Sequence, residues 1–395
     1  MRSFTHLRGV VGALVLTLAL AACTPSSPEP VPEERDSVGE AVGRVAEELR
    51  TAHDVPGVAV GVVDGPRTRV FAYGRMGADD PRPVRPDTLF EIGSVSKLFT
   101  AILAESAVVG GRLSLEERPG RYLPWLRGSA VDAATLGQLG TYAGGGLPLQ
   151  FPSGVTDDES MREYFTGWQP VTAPGTSRLY SNPSIGLLGR AAATSYGTDF
   201  ATAVGREVLD PLGLDDTHVR IPAADEARYA WGRTATSTRA RVAPGPLDAE
   251  AYGLKSTAAD MTDFLAAVVR PGDGAIARAV RASAAVRYSI GPVGQALGWE
   301  AFPAPTTLQA LQAGNAPDVA SAPHATAPAD RRATCVLDKT GSTGGFGAYV
   351  LALPGEGRGV VVMMNRNVPN AARIAAAHAV LGALAEGVGG PSCLS

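Results

Sequence analysis

Three short motifs, far apart along the chain, constrain its fold more than any other feature: Ser94-Val95-Ser96-Lys97, Tyr180-Ser181-Asn182 and Lys339-Thr340-Gly341. Of 35 Lys and Arg residues only Lys97, Lys255 and Lys339 are lysines, and two of these fall inside the motifs. A chain so biased toward Arg keeps Lys where Arg cannot serve. Arg stays charged at every accessible pH, whereas Lys can release its proton when burial and nearby charge lower its pKa. Chemistry that needs a proton shuttle therefore tolerates only Lys. If the three motifs act on one bond, the fold must bring residues 94, 180 and 339 together.

Alone, each motif is a common accident; all three in this order are an accident on the order of one in a thousand. Ser94 follows the apolar run Leu89-Phe90-Glu91-Ile92 and opens a helical stretch that ends at Gly110-Gly111. That places Ser94 at a helix N-terminus, where backbone N–H groups favour a developing negative charge, with Lys97 within reach of the hydroxyl. The third motif stands just before the strand pattern of a C-terminal hairpin.

The rest of the chain supplies a frame. Ser37-Val38-Gly39-Glu40 has capping-box spacing, and Val38, Val42, Val45, Leu49 and Ala52 recur on one helical face. Val58 to Val63 and Val70 to Tyr73 read as one hairpin across Asp64-Gly65-Pro66, and Ala348 to Leu353 and Gly359 to Met364 as a second across Pro354-Gly355-Glu356-Gly357. Ala371 to Ala385 reads as an Ala-rich helix. Helical patterns broken by Gly and Pro clusters fill Ala101 to Leu214, so a helical lobe, residues 101–214, is expected as an insertion in an α/β lobe of residues 37–100 and 215–395. The segment Phe302 to Ala333, rich in Ala and Pro without a clean period, is expected to be a long surface loop bordering the site.

At the start, Arg2 and Arg8 precede an apolar run, Val10 to Leu20, too short to span a bilayer. Residues 1–22 read as a signal peptide of lipoprotein type, because Leu20-Ala21-Ala22-Cys23 resembles the box cut before a cysteine that receives lipid. An ordinary signal peptide with a chance cysteine is the alternative; either way the mature protein works outside the cytoplasm. Residues 23–36, rich in Pro, Ser and Glu, read as a flexible tether. With Cys23 lipidated, Cys335 and Cys393 remain as an even pair, either a disulfide or two separate thiols. A formal net charge of −4 argues against nucleic acid as partner. The five histidines lie in no His-x-His or His-x-x-x-His spacing, so no zinc site is suggested, and there is no Gly-x-Ser-x-Gly elbow.

The motifs resemble those of the penicilloyl-serine transferases, the serine β-lactamases and DD-peptidases, and the wider match is to class C β-lactamases. The likeness runs from about Pro56 to Leu384. Its most specific stretches are Phe90 to Lys97, Gly146 to Gln150, Tyr180 to Leu187, Leu247 to Gly253 and Lys339 to Gly347. The resemblance implies an α/β (α+β) fold of the β-lactamase/transpeptidase type: an antiparallel sheet flanked by helices, an inserted helical lobe, and the active site between them. It makes Ser94 the acylated nucleophile and Lys97 and Tyr180 its proton relay. Asn182 and Gln150 would bind the substrate side-chain amide and Tyr252 would wall the site. Lys339, Thr340 and Gly341, with Asn370 and Arg373, would receive the substrate carboxylate, and the backbone N–H groups of Ser94 and Ser342 would form the oxyanion hole. It implies a monomer that takes a small β-lactam, needs no cofactor or metal, and touches the membrane only through lipid on Cys23. Better-known members carry His before Lys-Thr-Gly, where Asp338 stands here. A DD-peptidase or esterase on the same scaffold, or a penicillin-binding lipoprotein that acylates once, are the rival readings. For Tyr180 to act as a base its pKa must fall by roughly three units, about 4 kcal/mol, which one ammonium at about 4 Å can supply at an effective dielectric near 20. By the same arithmetic Lys339 could make Lys97 the base, and the sequence does not choose between them.

Overall fold

The computed structural model describes residues 36–330, 334–385 and 393–394, together with residues 1, 3, 5 and 9 near the start. Cys23 and all but residues 1, 3, 5, 9 and 36 of the expected signal peptide and tether lie outside the described residues.

Among the described residues, nine antiparallel strands form the central sheet: β1 (Gly57–Asp64), β2 (Arg67–Gly74), β3 (Tyr288–Ile290), β4 (Val293–Gln295), β5 (Glu300–Pro303), β6 (Ala327–Pro328), β7 (Thr334–Ser342), β8 (Gly347–Leu353) and β9 (Arg358–Met364). Their spatial order is β6-β3-β4-β5-β7-β8-β9-β1-β2. Both expected hairpins are present, β1 with β2 from Asp64↔Arg67 and β8 with β9 from Leu353↔Arg358. The helices that matter here are α1 (Ser37–Ala52), α2 (Ser96–Val109), α3 (Asn182–Ser195), α4 (Ala258–Val269), α5 (Leu308–Gly314), α6 (Pro317–Ser321) and α7 (Asn370–Ala385).

The pleat divides each central strand between two cores. On β1, Val58, Val60 and Val62 pack with Val42, Val45 and Leu49 of α1 and with Ile374, Val380 and Leu381 of α7. Ala59 and Val63 point the other way, into the core that contains Met261 and Leu265 of α4 and most of α2. Helices cover both faces, so these strands read as almost unbroken apolar runs rather than as an alternation. Helix α2 is buried nearly all round, from Ser96 to Glu105 without a break, which marks it as the central helix of its core. The stretch from Ala101 to Leu214 contains most of α2, all of α3, the ten-residue helix Asp158–Gly167, shorter helical segments, and a two-residue strand, Ser177–Arg178, that pairs with His324–Ala325.

One expectation is corrected. The segment Phe302 to Ala333 is not a structureless loop: among its described residues it holds the end of β5, α5, α6 and the short strand β6. The Thr307 side chain caps α5 by accepting from the Ala310 N–H at 3.0 Å, Pro317 stands in the first turn of α6, and Leu311 is fully buried. Helices of seven and five residues are too short to display a repeating apolar face, so the sequence showed no period.

Candidate active site

Ser94 sits in a single 3-10 turn, Gly93–Val95, that leads straight into α2. The turn is pressed against β7. Gly93 adopts φ +52°, and a Cβ there would collide with the Ser342 backbone; a Cβ on Gly341 would strike the Ile92 carbonyl. Both glycines are required by close backbone approach. This approach brings the Ser342 backbone directly against the turn that carries Ser94.

One helical turn on, Lys97 is fully buried, and its Nζ donates to Ser94 Oγ at 2.9 Å and to the Ala251 carbonyl at 2.7 Å. The loop Leu247–Gly253 therefore holds the lysine from behind, one residue before Tyr252. Tyr180 immediately precedes α3, whose N-cap is Ser181, accepting from the Ser184 N–H at 3.1 Å. Lys97 Nζ lies 5.0 Å from the centroid of the Tyr180 ring and Lys339 Nζ 5.1 Å from it. Three distant segments of the chain thus converge on one phenol.

The electrostatics follow from that convergence. Burial works to raise the Tyr180 pKa, but Lys339 and Lys97 outweigh it, helped by a hydrogen bond with Ser94, and the phenol is drawn below its ordinary range. Burial, reinforced by the Lys339 charge and opposed by Tyr180, pulls Lys97 down to about 8. Lys339 moves the other way. Burial lowers it, yet Glu300, whose Oε2 lies 3.2 Å from Nζ, together with Tyr180 and Asp338, raises it overall.

Glu300 and Arg178 were not among the residues the sequence pointed to. The Arg178 guanidinium is buried over the rings of Tyr142, at 5.4 Å, and Tyr180, at 5.5 Å; it donates to Gln295 Oε1 at 3.0 Å and reaches Glu300 at 3.4 Å. Tyr142 in turn packs its ring 4.6 Å from that of Tyr180 and holds φ +63°, backbone strain tolerated where surrounding packing enforces it. Arg178 stands two residues before Tyr180, a weak signal at best. Glu300 carries no local signal at all.

A cavity of about 120 Å³ opens at this point, and of the expected residues Ser94, Tyr180, Lys339, Thr340, Ser342 and Asn370 line it. Gln150, Asn182, Tyr252, Gly341 and Arg373 are not among its lining residues. Gln150 is exposed beside Leu149, whose carbonyl accepts from the Asn182 N–H at 3.0 Å, so the two amide residues are neighbours. Asn182 is buried, and its Oδ1 has no hydrogen-bond partner among the described residues. Arg373 departs from its expected place. It is 1% exposed, and its guanidinium donates to the Gly341 carbonyl, Ser342 Oγ and Asn367 Oδ1, so it braces the end of β7 from inside.

Away from the cavity, Asp216, His218 and Asp225 have ligand-type atoms within 4.8 Å of one another. Arg228 already bridges the two aspartates, donating to Asp216 at 2.9 Å and to Asp225 at 2.8 Å. Cys335 and Cys393 are joined in a disulfide.

A profile of the beta-lactamase family matches residues 42–385. The chain belongs to the beta-lactamase family. A beta-lactamase of Pseudomonas fluorescens is 42% identical over 353 residues, covering 88% of this chain and 99% of that protein. The beta-lactamase of Escherichia coli K12 is 36% identical over 354 residues, covering 88% and 94%. The crystal structure of a beta-lactamase/D-alanine carboxypeptidase from Pseudomonas syringae superimposes with a TM-score of 0.84 at 36% identity, covering 88% of this chain and 99% of that one. The fold is thus the mixed α/β beta-lactamase fold, with a large antiparallel sheet flanked by helices, and relatives of this family are hydrolases.

Proposed function

We propose that this beta-lactamase family member is an exported class C serine β-lactamase that hydrolyses the lactam amide of penicillins and cephalosporins through an acyl-enzyme on Ser94. The observation that carries the reading is the Tyr180 ring flanked by the ammonium groups of Lys97 and Lys339 at 5.0 and 5.1 Å, with Lys97 bonded to Ser94 Oγ at 2.9 Å. A hydroxyl so placed can pass its proton to Lys97 or to the Tyr180 phenolate as it attacks the lactam carbonyl. Negative charge on the carbonyl oxygen meets the N–H groups of Ser94 and Ser342. The lactam nitrogen leaves with a proton returned through the same relay, and a water activated by Tyr180 and Lys97 then releases Ser94. The fixed charge of Lys339, with Thr340 and Asn370, receives the carboxylate common to these substrates, and the Asn182 Oδ1, which has no partner among the described residues, is the acceptor for the side-chain amide. Lipid on Cys23 would hold a monomeric domain at the cell envelope.

A DD-peptidase is the second reading, favoured by the likeness to the Pseudomonas syringae beta-lactamase/D-alanine carboxypeptidase. Mixing the domain lacking residues 1–23 with a chromogenic cephalosporin, while following product and intact mass, separates the two. Many turnovers, lost in Ser94→Ala, are expected. A single stoichiometric mass increase without turnover would replace the proposal with a penicillin-binding protein or peptidase.

A further inference from the structure

The residue before Lys339 occupies a built environment. Asp338 is 0% exposed on β7, and its Oδ2 accepts from Tyr349 OH at 2.8 Å and from Asn315 Nδ2 at 2.6 Å. Asn315, 7% exposed, ends α5 and also donates to the Leu311 carbonyl at 3.0 Å. Its own carbonyl accepts from Asn370 Nδ2 at 2.9 Å. Three residues from three parts of the chain are thus bonded in series, from a buried carboxyl to a cavity-lining amide. Asn315 also lines the cavity, together with Gly314, Ala316, Lys339 and Thr340.

We propose that Asp338 is a positioning residue that fixes the leaving-group wall of the site: it holds Asn315, and Asn315 holds Asn370 in the wall it shares with Lys339 and Thr340. The proposal rests on reading the Lys339 side of the cavity as the side that receives the substrate carboxylate. Its physical basis is the cost of the alternative. Without the carboxyl, the Asn315 amide and the Tyr349 hydroxyl lose a buried acceptor, and the turn that joins α5 to α6 has lost its tie to the sheet. The wall then moves relative to β7, and Asn370 moves with it, because its amide follows the Asn315 carbonyl. A group acting this way governs how the part of a substrate beyond the lactam nitrogen is held, and leaves the Ser94–Lys97–Tyr180 geometry intact.

Burial and the nearby Glu300 raise Asp338 to about 7, so near neutrality much of it is the neutral acid, which an amide imitates closely. Asp338→Asn keeps an acceptor for both donors; Asp338→Ala removes it. With a cephalosporin carrying a bulky leaving group, Asp338→Ala is expected to raise KM about tenfold, the scale of one lost buried hydrogen-bonded contact, while kcat changes far less. Asp338→Asn is expected to restore KM to the wild-type range. Asn315→Ala should raise KM similarly, and the double variant no further than either alone, because the residues act in series. Amide exchange across residues 311–316 of the unliganded protein, faster in Asp338→Ala and normal in Asp338→Asn, reads the same tie without substrate. Additive KM effects, or unchanged exchange in Asp338→Ala, would overturn the inference. Absence of cephalosporin turnover by the wild type would instead overturn the proposed function, and the exchange measurement would still decide the role of Asp338.

Discussion

Lys97 and Lys339 are both buried against one phenol, yet their environments assign them opposite behaviour. Glu300 at 3.2 Å keeps Lys339 a fixed cation, whereas Lys97 has a serine hydroxyl and a carbonyl as hydrogen-bond partners and falls to about 8. A base must be unprotonated, so acylation is expected to rise as pH climbs through about 8, with Lys97 and Tyr180 titrating as a coupled pair. Lys97→Arg places a permanent charge at that position. It should remove this limb of the pH profile and lower the acylation rate by about 10²–10⁴, measured by stopped-flow with a chromogenic cephalosporin. A pH profile retaining the limb in Lys97→Arg would assign it to Tyr180 alone. The near absence of lysine elsewhere in the chain made both residues conspicuous. The carboxylate that sets them apart was hidden, because Glu300 meets Lys339 only across the β5–β7 pair.

At the level of elements, the setting of the proposed nucleophile depends on how closely one turn can approach one strand. Gly93 at φ +52° and Gly341 beside the Ile92 carbonyl let the Ser94 turn lie directly on the end of β7, with Arg373 bracing that end from within. Gly93→Ala forces a left-handed conformation costing about 1–2 kcal/mol and drives the turn away from Ser342. With the N–H groups of Ser94 and Ser342 as the proposed oxyanion hole, displacing one donor should lower kcat by about 10²–10³, a loss visible in acylation kinetics alongside only a moderate fall in melting temperature. Retention of full activity by Gly93→Ala would show that the hole is formed elsewhere. The start of α2 was legible from Ser94 and the apolar run before it. Helices α5 and α6 were not: neither is long enough to show a period, and their partners are distant, Ala371 and Asp338 for α5 and Arg178 for α6.

Across the whole molecule, the Cys335–Cys393 disulfide ties the end of the described chain to the strand that carries Lys339. The bridge closes a loop with a sequence separation of 58, for which chain entropy gives about 4 kcal/mol of stabilisation, reduced by any structure the unfolded chain retains. Cys393→Ala is expected to lower unfolding stability by up to about that amount in a denaturant titration, with little change in kcat/KM at room temperature. Loss of activity in step with loss of the bridge would mean that the disulfide also holds Lys339 in register.

The groups of the proposed relay and most of their local settings were written in the linear chain: a serine at a helix start with Lys97 one turn on, a tyrosine before a helix, two hairpins and the first helix; Lys339 was read as standing before a strand and lies within β7. Neighbours within a few residues encode each of these, so short-range pattern reveals them. The groups that tune them became visible only with the packed fold. Arg178 meets Glu300 across 122 residues, Lys97 meets the Ala251 carbonyl across 154, and Asp338 meets Asn315 at the end of a helix that shows no period. Such contacts arise from packing an antiparallel sheet against helices from distant parts of the chain, and that packing leaves no mark in the residues on either side of each partner.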